Sequence, residues 1–455
     1  MIPSDVSSDQ PLESQPSWLL RKFAFWQWDA ERRGAWRRSL LTSATAISDQ
    51  VVVSGLGFAT SIIIGRQSKE MLGIYFLAFS IVLFVRGIQE SLIAAPFKVF
   101  CHRFSEQDQA SYAGSTVVQY SVLTAAVCCV LLLVAVSPMA AWLPSGLGPV
   151  ISILVVVIPL LLLRELFRQL SFARLRFQRA LILDSVVALV QLAGLLWLAH
   201  RHELTVGRAF SVMAVACGGA TIGWLLTSPQ PLKLCSHALA RDWKANWEFG
   251  RWAVAAQVVG ALAPYIVPWI LSVLKDSQAT GMFAACMTMV GASRVITDAV
   301  FNLLTPKSAH AFHHGGRSAL VRMLVNWGTL FAVFMGIFTV AVFLIGEWGL
   351  VFVYGDQYAG TTWPLTILAA ALWIHTIGFT CGDGLFVLER TRDNFWADVV
   401  STGLTVIVSV PLVSQLGVTG AALATLVALA SGAVARFLIL RRCLRILDRQ
   451  QETPV

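Results

Sequence analysis

Two short charge patterns sit where the residues around them are apolar. In GIYFLAFSIVLFVRGIQESLIAAPFK, residues 73–98, Arg86 is followed four residues later by Glu90. In GMFAACMTMVGASRVITDAVFNLLTPK, residues 281–307, Arg294 is followed four residues later by Asp298. Each arginine comes thirteen residues after a glycine, Gly73 or Gly281. Each segment closes on a proline and a lysine, Pro96 with Lys98 and Pro306 with Lys307. A spacing of four puts arginine and acid on one helical face. Charge among hydrocarbon is costly, so these groups must face protein or a hydrated cavity. Arg86 lies ten residues before Pro96, about 15 Å along an ideal helix, and is therefore deep. Two chemistries fit such pairs. One is a cavity site that binds an anionic substrate or gates; the other is a salt bridge that locks helices together.

Further polar groups fall inside apolar stretches. Asp49, ahead of SGLGF at 54–58, suits a gate, a cation ligand or a partner for an arginine. The stretch RELFRQLSFARLRFQRA, residues 164–180, holds Arg164, Arg168, Arg174, Arg176 and Arg179. Such a cluster attracts anionic membrane lipids, and it can also simply mark topology. A third role for Arg164, Arg168 and Arg174 is capture of a phosphate headgroup, because a guanidinium makes paired hydrogen bonds to phosphate. Pro264 and Pro268, with Gly260 nearby, interrupt a helix ladder and suit a static kink or a flexible joint. Asp383, Asp398 and Arg390 are candidates for salt bridges at a helix rim. The eight cysteines are scattered, and no metal-ligand or catalytic spacing accompanies them. We therefore expect no metal, no cofactor and no enzymatic activity.

The elements that carry these residues follow from composition. The chain has 455 residues, 56% hydrophobic and 13% charged, with a mean hydropathy of +0.70. Soluble domains have about 25% charged residues, so lipid is the expected solvent. Apolar runs predict twelve helical spans: 43–64, 72–96, 117–137, 149–170, 180–199, 207–227, 250–273, 280–303, 323–345, 363–386, 395–414 and 418–440. Each is long enough to cross about 30 Å of hydrocarbon. Of the 34 Lys and Arg, only Arg66, Lys69, Arg201, Arg208 and Lys275 fall on the outer side of this map, and Arg86 and Arg294 lie within spans. The other 27 fall on the inner side, which predicts a cytoplasmic membrane protein with both termini cytoplasmic. The net charge of +9 follows that topology and does not imply nucleic-acid binding. Residues 1–42 form a cytoplasmic arm whose segment 17–38 suits a helix in the headgroup region. The outer segment 346–362 suits either a short interfacial helix anchored by Trp348 and Tyr354 or turns.

The matched patterns at Arg86 and Arg294 lie six spans apart and run in the same direction. They predict two six-helix lobes related by a parallel repeat, at 43–227 and 250–442, with a connector at 228–249 and a tail at 443–455.

The sequence resembles the polysaccharide-biosynthesis branch of the multidrug/oligosaccharidyl-lipid/polysaccharide exporter superfamily, which includes O-antigen and exopolysaccharide flippases. The resemblance runs from about Ser43 to Arg442. It rests on SDQVVVSGLGFATSIIIGR (48–66), the stretch 73–97, RELFRQLSFARLRFQRALILD (164–184), FGRW (249–252), VYGDQYAG (353–360) and PLVSQLGVTGAALATL (411–426). It implies an all-α polytopic membrane protein with two six-helix bundles forming a V around a central cavity. It also implies transfer of a lipid-pyrophosphate-linked glycan between leaflets, with Arg86 and Arg294 as cavity candidates and a polysaccharide polymerase or export proteins as partners. Two other readings stay open on the residues alone. They are ion-coupled export of cationic drugs, using Asp49, Glu90 and Asp298, and a non-transporting scaffold for polysaccharide assembly.

Overall fold

A computed structural model describes residues 44–101, 106–138, 143–227, 233 and 236–452. Side chains are described throughout these except at 106–107, 236–238, 261–263, 295–296, 298–303, 306 and 447–452. The arm at 1–42 lies outside the described residues. Among the described residues, all regular structure is helical. In order the helices are α1 Ala44–Gln67, α2 Lys69–Phe100, α3 Glu106–Val136, α4 Leu147–Ala173, α5 Phe177–His200, α6 Val206–Thr227 and α7 Ser236–Leu274. The helical stretch Ser277–Tyr354 follows, then α10 Thr362–Val387, then the stretch Thr391–Glu452.

Those two long stretches are each a pair of helices. The last has 62 residues, about 93 Å if straight, three times the thickness of bilayer hydrocarbon. Each is broken at one glycine with positive φ: Gly316 (φ 61°, ψ −156°) and Gly417 (φ 57°, ψ −126°). A residue with a Cβ is strained there. We number the arms α8 (277–315), α9 (317–354), α11 (391–416) and α12 (418–452). Contacts across each break run antiparallel. Ser401 Oγ donates to Ala428 O at 2.7 Å, and Arg436 Nε donates to Asn394 Oδ1 at 2.8 Å. In the other pair Lys307 Nζ lies 5.7 Å from the Trp327 ring centroid, and Gly349 faces Met289. The all-α polytopic architecture is the one the sequence predicts. Among the described residues, nine helices satisfy the length and hydropathy needed to cross a membrane, the unbroken 391–446 counting as one. The bent pair Leu239–Gly260 and Pro264–Leu274 makes a tenth.

Two boundaries differ from expectation. Helix α7 starts at Ser236, not near 250, because its first turns carry their own packing. Asn246 is buried, accepts from Tyr112 Oη at 2.6 Å and donates to Gln119 Oε1 at 2.7 Å, which fastens this half of α7 to α3. The segment 346–354 continues α9 as regular helix, and Tyr354 is wholly buried instead of anchoring at an interface. Its hydroxyl lies 3.1 Å from Ser61 Oγ.

The repeat is visible in the packing. Gly73 of α2 lies against the backbone of Ser277 and Gly281, and Gly281 of α8 lies against the backbone of Lys69 and Gly73. The two glycines that lead the repeated pattern therefore cross one another, each filling the other's missing Cβ. The same relation continues outward to the neighbouring helices. Trp269 Nε1 of α7 donates to Ser80 Oγ of α2 at 3.0 Å, while Ser61 Oγ of α1 lies 3.4 Å from Thr288 Oγ1 of α8. Residues 61 and 269, 73 and 281, 80 and 288, and 86 and 294 are all equally far apart in sequence. One pseudo-two-fold operation thus relates all these contacts.

This crossing lies at the end that the charge distribution assigns to the outside. Further bonds close the same end. Arg66 donates from Nε to Val353 O at 2.6 Å and from Nη2 to Phe352 O at 3.0 Å, and Tyr358 Oη donates to Gly65 O at 3.1 Å. A Cβ at position 281 would overlap the Lys69 carbonyl oxygen, which is backbone and cannot rotate away. Gly281→Val should destabilise the protein by about 1–3 kcal/mol, the usual range for overpacking. Thermal unfolding in detergent checks this, and Gly260→Val, at a glycine with open space around it, should cost less.

Candidate functional site

The first half of the chain holds a buried cluster of six charged groups. Helix α4 is apolar for most of its length, then presents Arg164, Glu165, Arg168 and Gln169 within two turns. Asp49 of α1 and Asp184 of α5, both fully buried, come in from the two sides. Arg168 sits at the centre. It reaches Asp49 Oδ2 at 2.6 Å, Glu165 Oε1 at 3.3 Å and Asp184 Oδ2 at 2.6 Å. Arg164 pairs with Asp184, and Gln169 Nε2 donates to Glu165 Oε1 at 2.7 Å. Arg86 of α2 adds the third arginine, 3.1 Å from Glu165 Oε1. Three carboxylates and three guanidinium groups balance, which is what burial in a low-dielectric bundle demands.

This geometry corrects two expectations. Arg164 and Arg168 do not form an exposed basic surface. They are turned into the bundle because three acids on three helices attract them there. Of the expected headgroup-capture group, Arg174 is the member left half-buried at the end of α4. The second correction concerns Arg86 and Glu90, which do not pair with each other. Arg86 goes to Glu165, and Glu90 goes to Lys98 at 2.7 Å. The reason is a π-helical turn at Glu90–Ala94, just before Pro96. Two α-helical turns span about seven residues. The wider π turn takes up one more, so Lys98 comes to stand beneath Glu90.

The second half is built differently around the matched arginine. Arg294 is exposed, and among the described residues no carboxylate lies within ion-pair distance of it. The side chain of Asp298 lies outside the described residues. Beside Arg294 is a notch of about 50 Å³, lined by Ser293, Thr297, His375 and Thr376 with Met335, Leu372 and Phe379. Two other acids of this half are engaged elsewhere. Asp398 pairs with Arg436, and Asp383 accepts from Thr305 Oγ1 at 2.5 Å.

Tyr265 of α7 joins the two halves. It lies within electrostatic reach of both Arg86 and Arg294. Tyr265 is held there by the break in α7. The segments on either side of Gly260 and Pro264 are inclined at 41°, and Pro268 is buried beyond it. Gly87 and Gly250 let the other half of α7 approach α2, against Gln257 on one side and the Ser91 carbonyl of the π turn on the other. Arg86 thus lies near the α7 break and also belongs to the cluster of Asp49, Arg164 and Arg168, while Glu90 pairs apart from it with Lys98.

Four residues of this region are not singled out by sequence reasoning: Glu165, Asp184, Tyr265 and His375. Glu165 and Asp184 are acids inside apolar spans, and that is a usable signal. Tyr265 and His375 are amphipathic residues of common type and carry no such signal.

Removing one member of the balanced cluster strands a charge. Arg168→Met should cost about 3–5 kcal/mol, the range for breaking a buried ion pair. Adding Asp49→Asn should recover part of that loss, because neutrality returns. Thermal unfolding of both single variants and the double variant, read as a cycle, checks the coupling.

No protein-family model matches the sequence, and no curated protein matches it. Solved structures do. An inward-facing multidrug resistance MATE family transporter of the MOP superfamily superposes with a TM-score of 0.75 at 10% identity, over 88% of this chain and 96% of that one. The lipid II flippase MurJ, in an inward closed conformation, gives 0.69 at 14% identity, over 88% and 87%. A MOP-superfamily transporter from Pyrococcus furiosus, described by the reverse polarity of its binding pocket, gives 0.61 at 11% identity, over 89% and 95%. The chain therefore has the two-bundle, twelve-helix fold of these membrane transporters.

Proposed function

We propose that the protein carries a lipid-linked oligosaccharide or polysaccharide precursor from the inner to the outer leaflet of the cytoplasmic membrane by alternating access. The observation that carries this reading is the pair Arg86 and Arg294. They occupy repeat-matched positions in the two halves, and both lie within electrostatic reach of Tyr265. Two guanidinium groups on one region favour an anionic cargo. A pyrophosphate-linked sugar head would enter between the halves while its lipid tail stays in the bilayer. The lobes at 43–227 and 250–442 would then rock about the bound head. The closed outer end, held by Arg66 and Tyr358 on carbonyl oxygens, supports an inward-open resting state. Both termini would face the cytoplasm, where Arg174 and Arg176 meet anionic lipids and a polymerase or export partner docks.

The fold alone does not choose the cargo, because a multidrug transporter and a lipid II flippase both share it. Charge pairing argues against a cationic drug. Asp49 is engaged by Arg168 and Glu90 by Lys98, so two of the three acids of that reading are already paired.

Reconstitution in liposomes tests the reading. The purified protein should move a fluorescent prenyl-pyrophosphate-linked oligosaccharide across leaflets without a partner, which also separates a transporter from a scaffold. Arg86→Ala should lower the rate by about tenfold, the scale of one lost charged hydrogen bond. Unchanged flipping with unchanged affinity would remove Arg86 from the site. Uptake of organic cations with no glycan-lipid movement would overturn the proposal.

A further inference from the structure

The two repeat-matched arginines are not equivalent in charge. Arg86 has Glu165 at 3.1 Å, inside a cluster that is already balanced. Arg294 has no such acid among the described residues. Among the described residues, Arg294 is thus the member of the matched pair without an ion-paired acid.

The notch beside Arg294 has the chemistry to use that potential. His375 Nδ1 is buried and has no hydrogen-bond partner, a state that costs free energy unless something fills it. Ser293, Thr297 and Thr376, all buried, bring three hydroxyls to the walls. At present they donate to the carbonyl oxygens of Val290, Arg294 and Leu372 on their own helices. A hydroxyl hydrogen rotates freely enough to turn toward an incoming oxygen. The notch is small, with about 50 Å³ open to the centres of water-sized groups.

We propose that the notch between α8, α9 and α10 is a single-phosphate site, in which Arg294 supplies the charge and His375 a directional hydrogen bond. Resting on the cargo reading above, it assigns the grip on the anionic head to the second half of the chain. Arg86, balanced by Glu165, contributes a weaker field from the opposite wall. The sugar then remains outside the notch, in the space near Tyr265. The charge and hydroxyls of the notch would thus select for the phosphate.

Binding to the full-length protein in nanodiscs tests this, with farnesyl diphosphate and inorganic pyrophosphate as separate probes. Both should bind. Arg294→Gln should weaken each by at least tenfold and His375→Phe by about fivefold. His375→Gln, which keeps a donor, should recover part of the loss. Arg86→Gln should weaken binding less than Arg294→Gln. Thermal unfolding within a few degrees of wild type certifies each variant. Pyrophosphate binding that depends on Arg294 and His375, without farnesyl diphosphate binding, upholds the notch and sinks the lipid-linked cargo. Farnesyl diphosphate binding insensitive to Arg294 and His375 overturns the notch and leaves that cargo standing. Binding of neither probe overturns the notch.

Discussion

A guanidinium group inside a membrane bundle must be compensated, and that one constraint sorts the deep arginines of this protein. Where three acids are available, on α1, α4 and α5, Arg86, Arg164 and Arg168 are drawn into a neutral cluster. The cluster gives up exposure for cohesion. It ties four helices together through α4, and removing any member leaves a charge that the interior cannot solvate. Where no acid is described, beside Arg294, the residue stays exposed and keeps its field. On the proposed reading, cohesion falls to the first half and binding to the second.

The close crossing of Gly73 and Gly281 is what makes that division matter. Two helices can share a backbone contact only where neither has a side chain, and here the pseudo-two-fold operation passes through that contact. It places Arg86 and Arg294 at corresponding depths on opposite halves. It also puts the tightest contact at one end of the molecule, where Arg66, Tyr354 and Tyr358 add to it. These bonds end mostly on backbone carbonyl oxygens and are replaceable by water, which suits a closure that has to open.

Helix irregularities do the positioning. The π turn at Glu90–Ala94 redirects Glu90 to Lys98 and frees Arg86 for Glu165. The break in α7 lies beside Tyr265, which is within electrostatic reach of both arginines. The positive-φ glycines at 316 and 417 let four helices form from two uninterrupted helical sequences. Each irregularity lies at a proline or glycine, where a regular ladder is weakest.

Much of this was legible in the residues. Apolar runs and the basic asymmetry predict the helices, because lipid requires one and topogenesis the other. The glycine-to-arginine spacing in two spans predicts the repeat, because equal spacing along a helix is equal depth. The sequence also marks Arg86 and Arg294 as deep charges. What it could not decide is which charge meets which. Glu90 is four residues from Arg86, yet the partner is Glu165, far off in the chain, and Arg164 and Arg168 look like a surface patch until Asp49 and Asp184 are beside them. Partner choice depends on how helices rotate and cross, and a local helical register carries no information about its neighbours. The tertiary structure alone therefore decided that Arg86, Arg164 and Arg168 are paired within the first half, while Arg294 has no ion-paired acid among the described residues.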